Sequence, residues 1–195
     1  MEKYYIIYKP VGMLSQFSTD GNLTVLGDLF PFEKDIYPVG RLDADSEGLL
    51  ILTNDKSLNN SLLNPSKKHS RTYLIQVEGE FTEEAIIQIQ KPFDIKIKKG
   101  KTHRTLPCTA KILKQPPVLP ERDPPIRFRK NKPTSWISIT LIEGKNRQVR
   151  KMTAKMGFPT LRLVRTQIEQ LTLENLENTM VKDMNKQLIY QLLKL

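Results

Sequence analysis

The sequence predicts an α+β protein built on a mixed, largely antiparallel sheet flanked by helices. Strand-like and helix-like runs alternate without a regular βαβ beat. Most apolar runs are short and punctuated by Gly, Pro, Asn or Asp. No internal repeat is visible. With 195 residues and 38% hydrophobic content, the chain fits one large domain, or two small lobes sharing a core.

Tyr4 to Tyr8 is β-rich and stops at Lys9-Pro10-Val11-Gly12, a turn signal. Residues 13–36 read as loop followed by a short helix around Val25 to Phe30. Gly48 to Thr53 is apolar strand, after which Asn54-Asp55 can cap a helix through about Leu63. Arg71 to Glu78 alternates, with Tyr73, Ile75 and Val77 on one face. Thr82 caps a helix to about Gln90, and short strands follow near Ile95 to Ile97 and Cys108 to Leu113. Residues 115–133 carry Pro116, Pro117, Pro120, Pro124, Pro125 and Pro133 among basic residues, which makes an extended loop too long for a neutral connection. Ser135 to Leu141 resumes strand alternation. Asn146 to Met156 reads as helix with Asn146 as N-cap and Gly157 ending it. Leu161 to Leu173 forms a strand pair or one bent strand, and Asp183 opens a last helix to about Leu193.

Thirty-one Lys and Arg against twenty-one Asp and Glu leave a net charge of +10. A surplus of that size favours polyanions, whose condensed counterions are released on binding, so nucleic acid leads an anionic membrane as partner. One cysteine, Cys108, cannot form an internal disulfide, which points to a reducing compartment. One Cys and two His cannot build a usual structural zinc site. The opening Met1-Glu-Lys-Tyr-Tyr lacks a signal-peptide pattern, and no run approaches the roughly eighteen apolar residues of a membrane span. The expectation is a soluble cytoplasmic protein.

Two segments carry chemistry. In Gly40 to Asp55, Asp43 sits in a turn just before an apolar strand, with Arg41 two residues away and on the same side if the backbone there is extended. A turn aspartate that caps a backbone N–H is the plain alternative. Asp43-Ala-Asp45-Ser-Glu47-Gly48 matches the first half of a calcium loop, but position twelve is Asn54 where a bidentate Glu belongs, and the flanks are not helical. The second segment is Glu143 to Met152. Gly144 breaks the strand, and Arg147, Arg150 and Lys151 share one helical face, which Lys145 cannot join. On composition alone this is a solvated basic face.

Together these segments resemble the motifs of the pseudouridine synthases of the RsuA/RluB/RluE type, which isomerise uridine within RNA. Gly144 to Arg150 supplies every element of that family's third motif, and Gly40 to Asp55 resembles its active-site motif. Lys9-Pro10-x-Gly12 resembles the first motif, and Arg71-Thr-Tyr73 resembles the family's basic-x-Tyr strand, with Ile75 in place of a valine. Residues 124–130, 133–136 and 157–165 look most like the branch that modifies a single uridine of large-subunit ribosomal RNA. The likeness runs from about Tyr5 to Leu173.

The resemblance implies a pseudouridine synthase catalytic fold with a central RNA-binding cleft, as one domain over residues 1–195. It implies none of the N-terminal S4 RNA-binding modules that many members carry. It implies Asp43 as nucleophile, attacking C1′ or the base, and Arg150 as the cation that keeps it ionised. Tyr73 would stack on the base, and either removes the C5 proton or has stacking as its whole task. Arg41 would escort the flipped base. Lys145, Arg147, Arg127, Arg129 and Lys130 are candidate substrate-binding residues, with Lys67, Lys68 and Arg71 as further phosphate contacts. No cofactor and no metal are implied, and the partner is ribosomal RNA, with the enzyme acting as a monomer. The alternatives are a non-catalytic rRNA-binding or ribosome-assembly factor, or the same reaction on small-subunit rRNA or tRNA.

Overall fold

A computed structural model describes residues 1–97, 100–127 and 132–195. They group into two compact units, Met1–His69 with Val164–Leu195, and Ser70–Leu163.

The first unit is built around β1 (Tyr4–Lys9) and β3 (Glu47–Thr53), paired antiparallel from Tyr4↔Thr53 to Lys9↔Gly48. Both strands are buried on both faces, so they read as unbroken apolar runs rather than as alternation. A two-residue strand β2 (Tyr37–Pro38) pairs with β3. The C-terminal segment completes the sheet. β9 (Thr160–Ile168) lies parallel to β3 at Glu47↔Val164 and Gly48↔Arg165, and β11 (Val181–Asp183) covers the other edge of β1. β10 (Leu171–Thr172) folds back on β9, so the segment read as a strand pair or one bent strand is a pair. Tyr5, Ile7, Leu42, Leu50 and Leu52 share one core cluster, which Phe17 and Phe32 close with an edge-on ring contact at 5.7 Å.

Helices α1 (Lys56–Leu63) and α4 (Lys186–Leu193) meet at one carboxylate. Asp55 Oδ1 accepts from Ser57 N–H and Leu58 N–H as the N-cap of α1, while Oδ2 accepts from the hydroxyls of Tyr4 (2.8 Å) and Tyr190 (2.6 Å). Burial opposes the charge on Asp55. The hydrogen bonds from Tyr190, Tyr4, Leu58 and Ser57 outweigh it and hold the carboxyl below its ordinary 3.8. Its stabilisation is therefore complete above that value and is lost as pH falls through the lower, folded one. Asp55→Ala is expected to cost about 2–3 kcal/mol near neutral pH, from a lost cap and the loss of two charge-assisted hydrogen bonds from Tyr4 and Tyr190. The gap to wild type should narrow in denaturant titrations below about pH 4, and a gap that stays constant down to pH 2 would refute this account.

In the second unit, β4 (Arg71–Glu78), β8 (Thr134–Leu141) and β7 (Thr109–Leu113) form an antiparallel sheet, with Tyr73 opposite Ile139. Ile75, Val77, Ile137 and Ile139 are fully buried, as alternation requires. Helices α2 (Glu83–Ile89), capped by Thr82, and α3 (Gln148–Lys155) contribute to the same core cluster. A separate hairpin pairs β5 (Asp94–Lys96) with β6 (Thr102–Arg104). Among the described residues no helix is long and apolar enough to cross a membrane.

Three expectations need correction, and one strand, β6, was not expected. The helix expected near Val25 to Phe30 is a single 3₁₀ turn, Leu26–Asp28, with Gly27 at its centre. β6 lies in a basic stretch that carries no apolar alternation. Asp183 ends β11, and Asn185 caps α4 by accepting from Leu188 N–H. Finally, α3 begins at Gln148 rather than Asn146.

Candidate active site

Asp43 lies in the first unit, in a turn closed by Ser46 N–H donating to Asp43 C=O at 3.0 Å. Its neighbours are fastened. The Leu42 side chain belongs to the core, and the Ser15 hydroxyl grips the Leu42 peptide twice, donating to its C=O (2.8 Å) and accepting from its N–H (3.0 Å). Ala44 C=O accepts from Gly12 N–H at 2.7 Å. Gly12 has φ +85°, which the turn after Lys9-Pro10 requires and a side chain would resist. Arg41 is exposed, with Nη2 3.3 Å from Gln16 Oε1, and Asp43 is half-buried.

Beneath this turn Lys9 is fully buried, and its ammonium donates to the carbonyls of Pro10 and Met13, each at 2.8 Å. Burial pushes Lys9 down to about 8, against the pull of Glu47, Asp45 and Asp43, with Arg165 adding to the fall. Lys9 thus ties the loop that carries Gly12 and Ser15, and its charge lies under a cluster of carboxylates. Glu47, in the calcium-like run, is itself buried and accepts from the Tyr8 hydroxyl at 2.9 Å.

The other candidates lie in the second unit. Tyr73 occupies the half-buried end of the row that continues into Ile75 and Val77. Arg150 is half-buried in the first turn of α3, its Nη1 3.4 Å from Thr160 C=O. Arg147 stands just before the helix with φ +52°, so it does not continue the helical face of Arg150 and Lys151. Gln148 is the reason. Its buried side chain reaches back, Oε1 accepting from Lys145 N–H (3.0 Å) and Nε2 donating to Glu143 (2.6 Å). That closes the loop from 143 to 148 without an Asn146 cap, and the Asn146 side chain instead accepts from Lys151 (3.3 Å). Lys145 and Arg147 are exposed. Arg127 is exposed on the Pro-rich segment, and Arg129 and Lys130 lie outside the described residues.

Glu143 anchors this half. Its carboxylate also accepts from Leu106 N–H and pairs with His103 Nε2, both at 2.8 Å. Burial opposes its charge, but the bonds from Leu106, Gln148 and His103 keep the carboxyl below the usual range. Cys108 packs beside this network, its thiol 3.2 Å from Ile89 C=O, and burial followed by Glu143 pushes it up to about 11. That suits a packing role and not a nucleophile.

Sequence reasoning named Asp43, Tyr73 and Arg150 but missed Ser15, His103 and the capping task of Gln148. Ser15 and His103 find their partners 27 and 40 residues along the chain, whereas Gln148 binds within its own turn in place of the expected Asn146 cap. The one available signal for Gln148 was its place inside the motif.

These two arrangements sit in a fold shared with a crystal structure of a pseudouridylate synthase, which aligns with a TM-score of 0.78 over 98% of this chain and 74% of that one; at 22% identity the likeness speaks for the fold alone. The sequence carries the assignment further. Residues 3–155 match the RNA pseudouridylate synthase family, and the chain belongs to that family. It is 46% identical over 175 residues to the ribosomal large subunit pseudouridine synthase E of Vibrio parahaemolyticus, covering 90% of this chain and 71% of that one. The protein of the same description from Xanthomonas axonopodis pv. citri is 42% identical over 173 residues, 88% of each chain.

Proposed function

We propose that the protein isomerises one uridine of large-subunit ribosomal RNA to pseudouridine, with Asp43 as nucleophile. The observation that carries this reading is the identity with relatives named for that RNA, spread over 90% of the chain. The chemistry supports it. Breaking the C1′–N1 bond and remaking it to C5 needs neither redox change nor cofactor, but it does need a carboxylate held still. Asp43 has fastened neighbours on both sides. Tyr73 is assigned the stacking role and Arg150 that of the cation the carboxylate requires, both on the family motifs. Arg41, Lys145, Arg147, Arg127, Arg129 and Lys130 are assigned to the RNA. The two units serve as one catalytic domain, acting as a cytoplasmic monomer.

The test uses ribosomal RNA transcripts with tritium at uridine C5, which isomerisation must release to water. Release from large-subunit transcripts alone is expected. Release from small-subunit RNA or tRNA would move the substrate class. Binding of large-subunit RNA with no release, from transcripts or from an assembling particle, would favour the non-catalytic assembly factor.

The Ser15 clip has its own consequence. Ser15→Ala frees both polar groups of the Leu42 peptide and lets the nucleophile's turn drift. Single-turnover release is expected to fall about tenfold with KM nearly unchanged, since about 1.4 kcal/mol of positioning is lost at the reacting centre. Ser15→Thr keeps the hydroxyl and should recover most of the rate. A rise in KM at constant kcat would place the defect in binding instead.

A further inference from the structure

The outer face of the β5–β6 hairpin is not used by the site described above, and its charge is unusual. Residues 91–104 carry six Lys or Arg and one acid, Asp94. Strand alternation sorts them. Ile95 enters the core and His103 turns to Glu143, so Asp94, Lys96, Thr102 and Arg104 occupy the opposite, exposed face. Arg104 is 70% exposed and lies 3.7 Å from Asp94, an open contact worth little in water. Among the described residues neither Lys96 nor Lys101 has an acidic partner.

The base of the hairpin is rigid. Phe93 and Thr105 exchange two hydrogen bonds, Phe93 N–H to Thr105 Oγ1 (3.0 Å) and Thr105 N–H to Phe93 C=O (2.9 Å). Lys155, in the last turn of α3, donates to Asp94 C=O at 2.6 Å and lies 5.7 Å from the Phe93 ring centre. On the exit side, His103 and Leu106 N–H bind the same Glu143 carboxylate that accepts from Gln148. One carboxylate therefore joins the hairpin to the loop that presents Lys145 and Arg147 and leads into the helix that carries Arg150.

We propose that the outer face of β5–β6, through Lys96, Lys101 and Arg104, is a second RNA-phosphate grip, held in register with the Gly144–Arg150 segment by Glu143. The proposal rests on the RNA-modifying reading above and deepens it. A polyanion is the partner this face fits. It offers separated cations and a hydroxyl, and none of the apolar side chains that insertion into a membrane surface would use. Because the paired strands and the base of the hairpin are already hydrogen-bonded, little conformational entropy is lost there on binding.

Binding is read independently of turnover, so failure of this inference is distinct from failure of the catalytic one, which wild-type tritium release decides. Equilibrium binding to a large-subunit RNA fragment is measured between 50 and 200 mM KCl for wild type, Lys96→Gln/Arg104→Gln, Lys96→Gln/Lys101→Gln and the control Lys34→Gln/Lys56→Gln, with melting curves to confirm folding. Each hairpin pair should flatten the slope of log Kd against log salt by about 1.5 to 2 and raise Kd about tenfold near 100 mM. The Lys96/Lys101 pair leaves the Asp94–Arg104 contact intact and guards against a folding artefact. Wild-type slopes in both hairpin variants would overturn the proposal. So would an equal loss in the control, which would reduce the effect to net charge.

Discussion

Asp43→Asn is expected to lower turnover by about four orders of magnitude or more, roughly 5 kcal/mol or more of barrier, while the fold persists. Asparagine keeps the shape of the side chain and removes the charge that the proposed reaction uses to attack C1′ or the base. The turn should survive because it is held through its backbone. Ser46 N–H binds the Asp43 carbonyl, Ser15 grips Leu42, and Gly12 binds Ala44. None of these bonds uses the Asp43 carboxylate. Melting should therefore stay within about 3 °C of wild type, a shift of about 1 kcal/mol. Single-turnover tritium release and thermal melting, measured on the same preparation, check both halves. Turnover within tenfold of wild type would remove Asp43 from the chemistry.

Gly48→Ala should have the largest effect on stability. Gly48 sits where three strands meet, opposite Lys9 of β1 and beside Arg165 of β9. A Cβ there would lie 2.2 Å from Arg165 O and 2.8 Å from Arg165 N, both backbone atoms that cannot swing aside. Its φ of +106° adds a conformation that a side chain resists. Relief requires β3 and β9 to part, which also disturbs the bond from Arg165 Nε to Leu49 C=O (2.8 Å). A loss of about 4 kcal/mol or more is expected, lowering the melting temperature by about 10 °C or more. Calorimetry decides this, and a change of under 3 °C would show that the strands can separate at little cost.

The parts of this fold that were legible in the sequence are those whose burial is regular. β1 and β3 announce themselves as unbroken apolar runs, and β4 and β8 as alternation, because each face of each strand has one environment. Short elements were illegible for the opposite reason. β6 is three residues, Thr-His-Arg, and it is a strand because Asp94–Lys96 lies beside it, which no local preference encodes. The start of α3 was misread because the Asn146 side chain is the usual capping choice, whereas here Gln148 does the work from inside the helix. The site divides the same way. Asp43, Tyr73 and Arg150 stood out through family motifs, which record chemistry. Ser15 did not, since its meaning lies in a peptide 27 residues further along.

The first unit is also split in time. Residues 1–69 leave the ribosome before residues 70–163, and residues 164–195 come last. At about 5–20 residues per second, the middle segment occupies about 5–20 s of synthesis. Throughout that interval a β1–β3 ribbon has neither β11 nor β9 beside it, so the β1 edge, Tyr5-Ile-Ile-Tyr8, is bare and the β3 edge is covered only where β2 pairs with Leu52 and Thr53. Unpaired apolar edges of this kind recruit other strands. The last thirty-two residues therefore act as a built-in shield for the first strands, and a chain shortened before Val164 should accumulate as aggregate rather than as a smaller soluble protein.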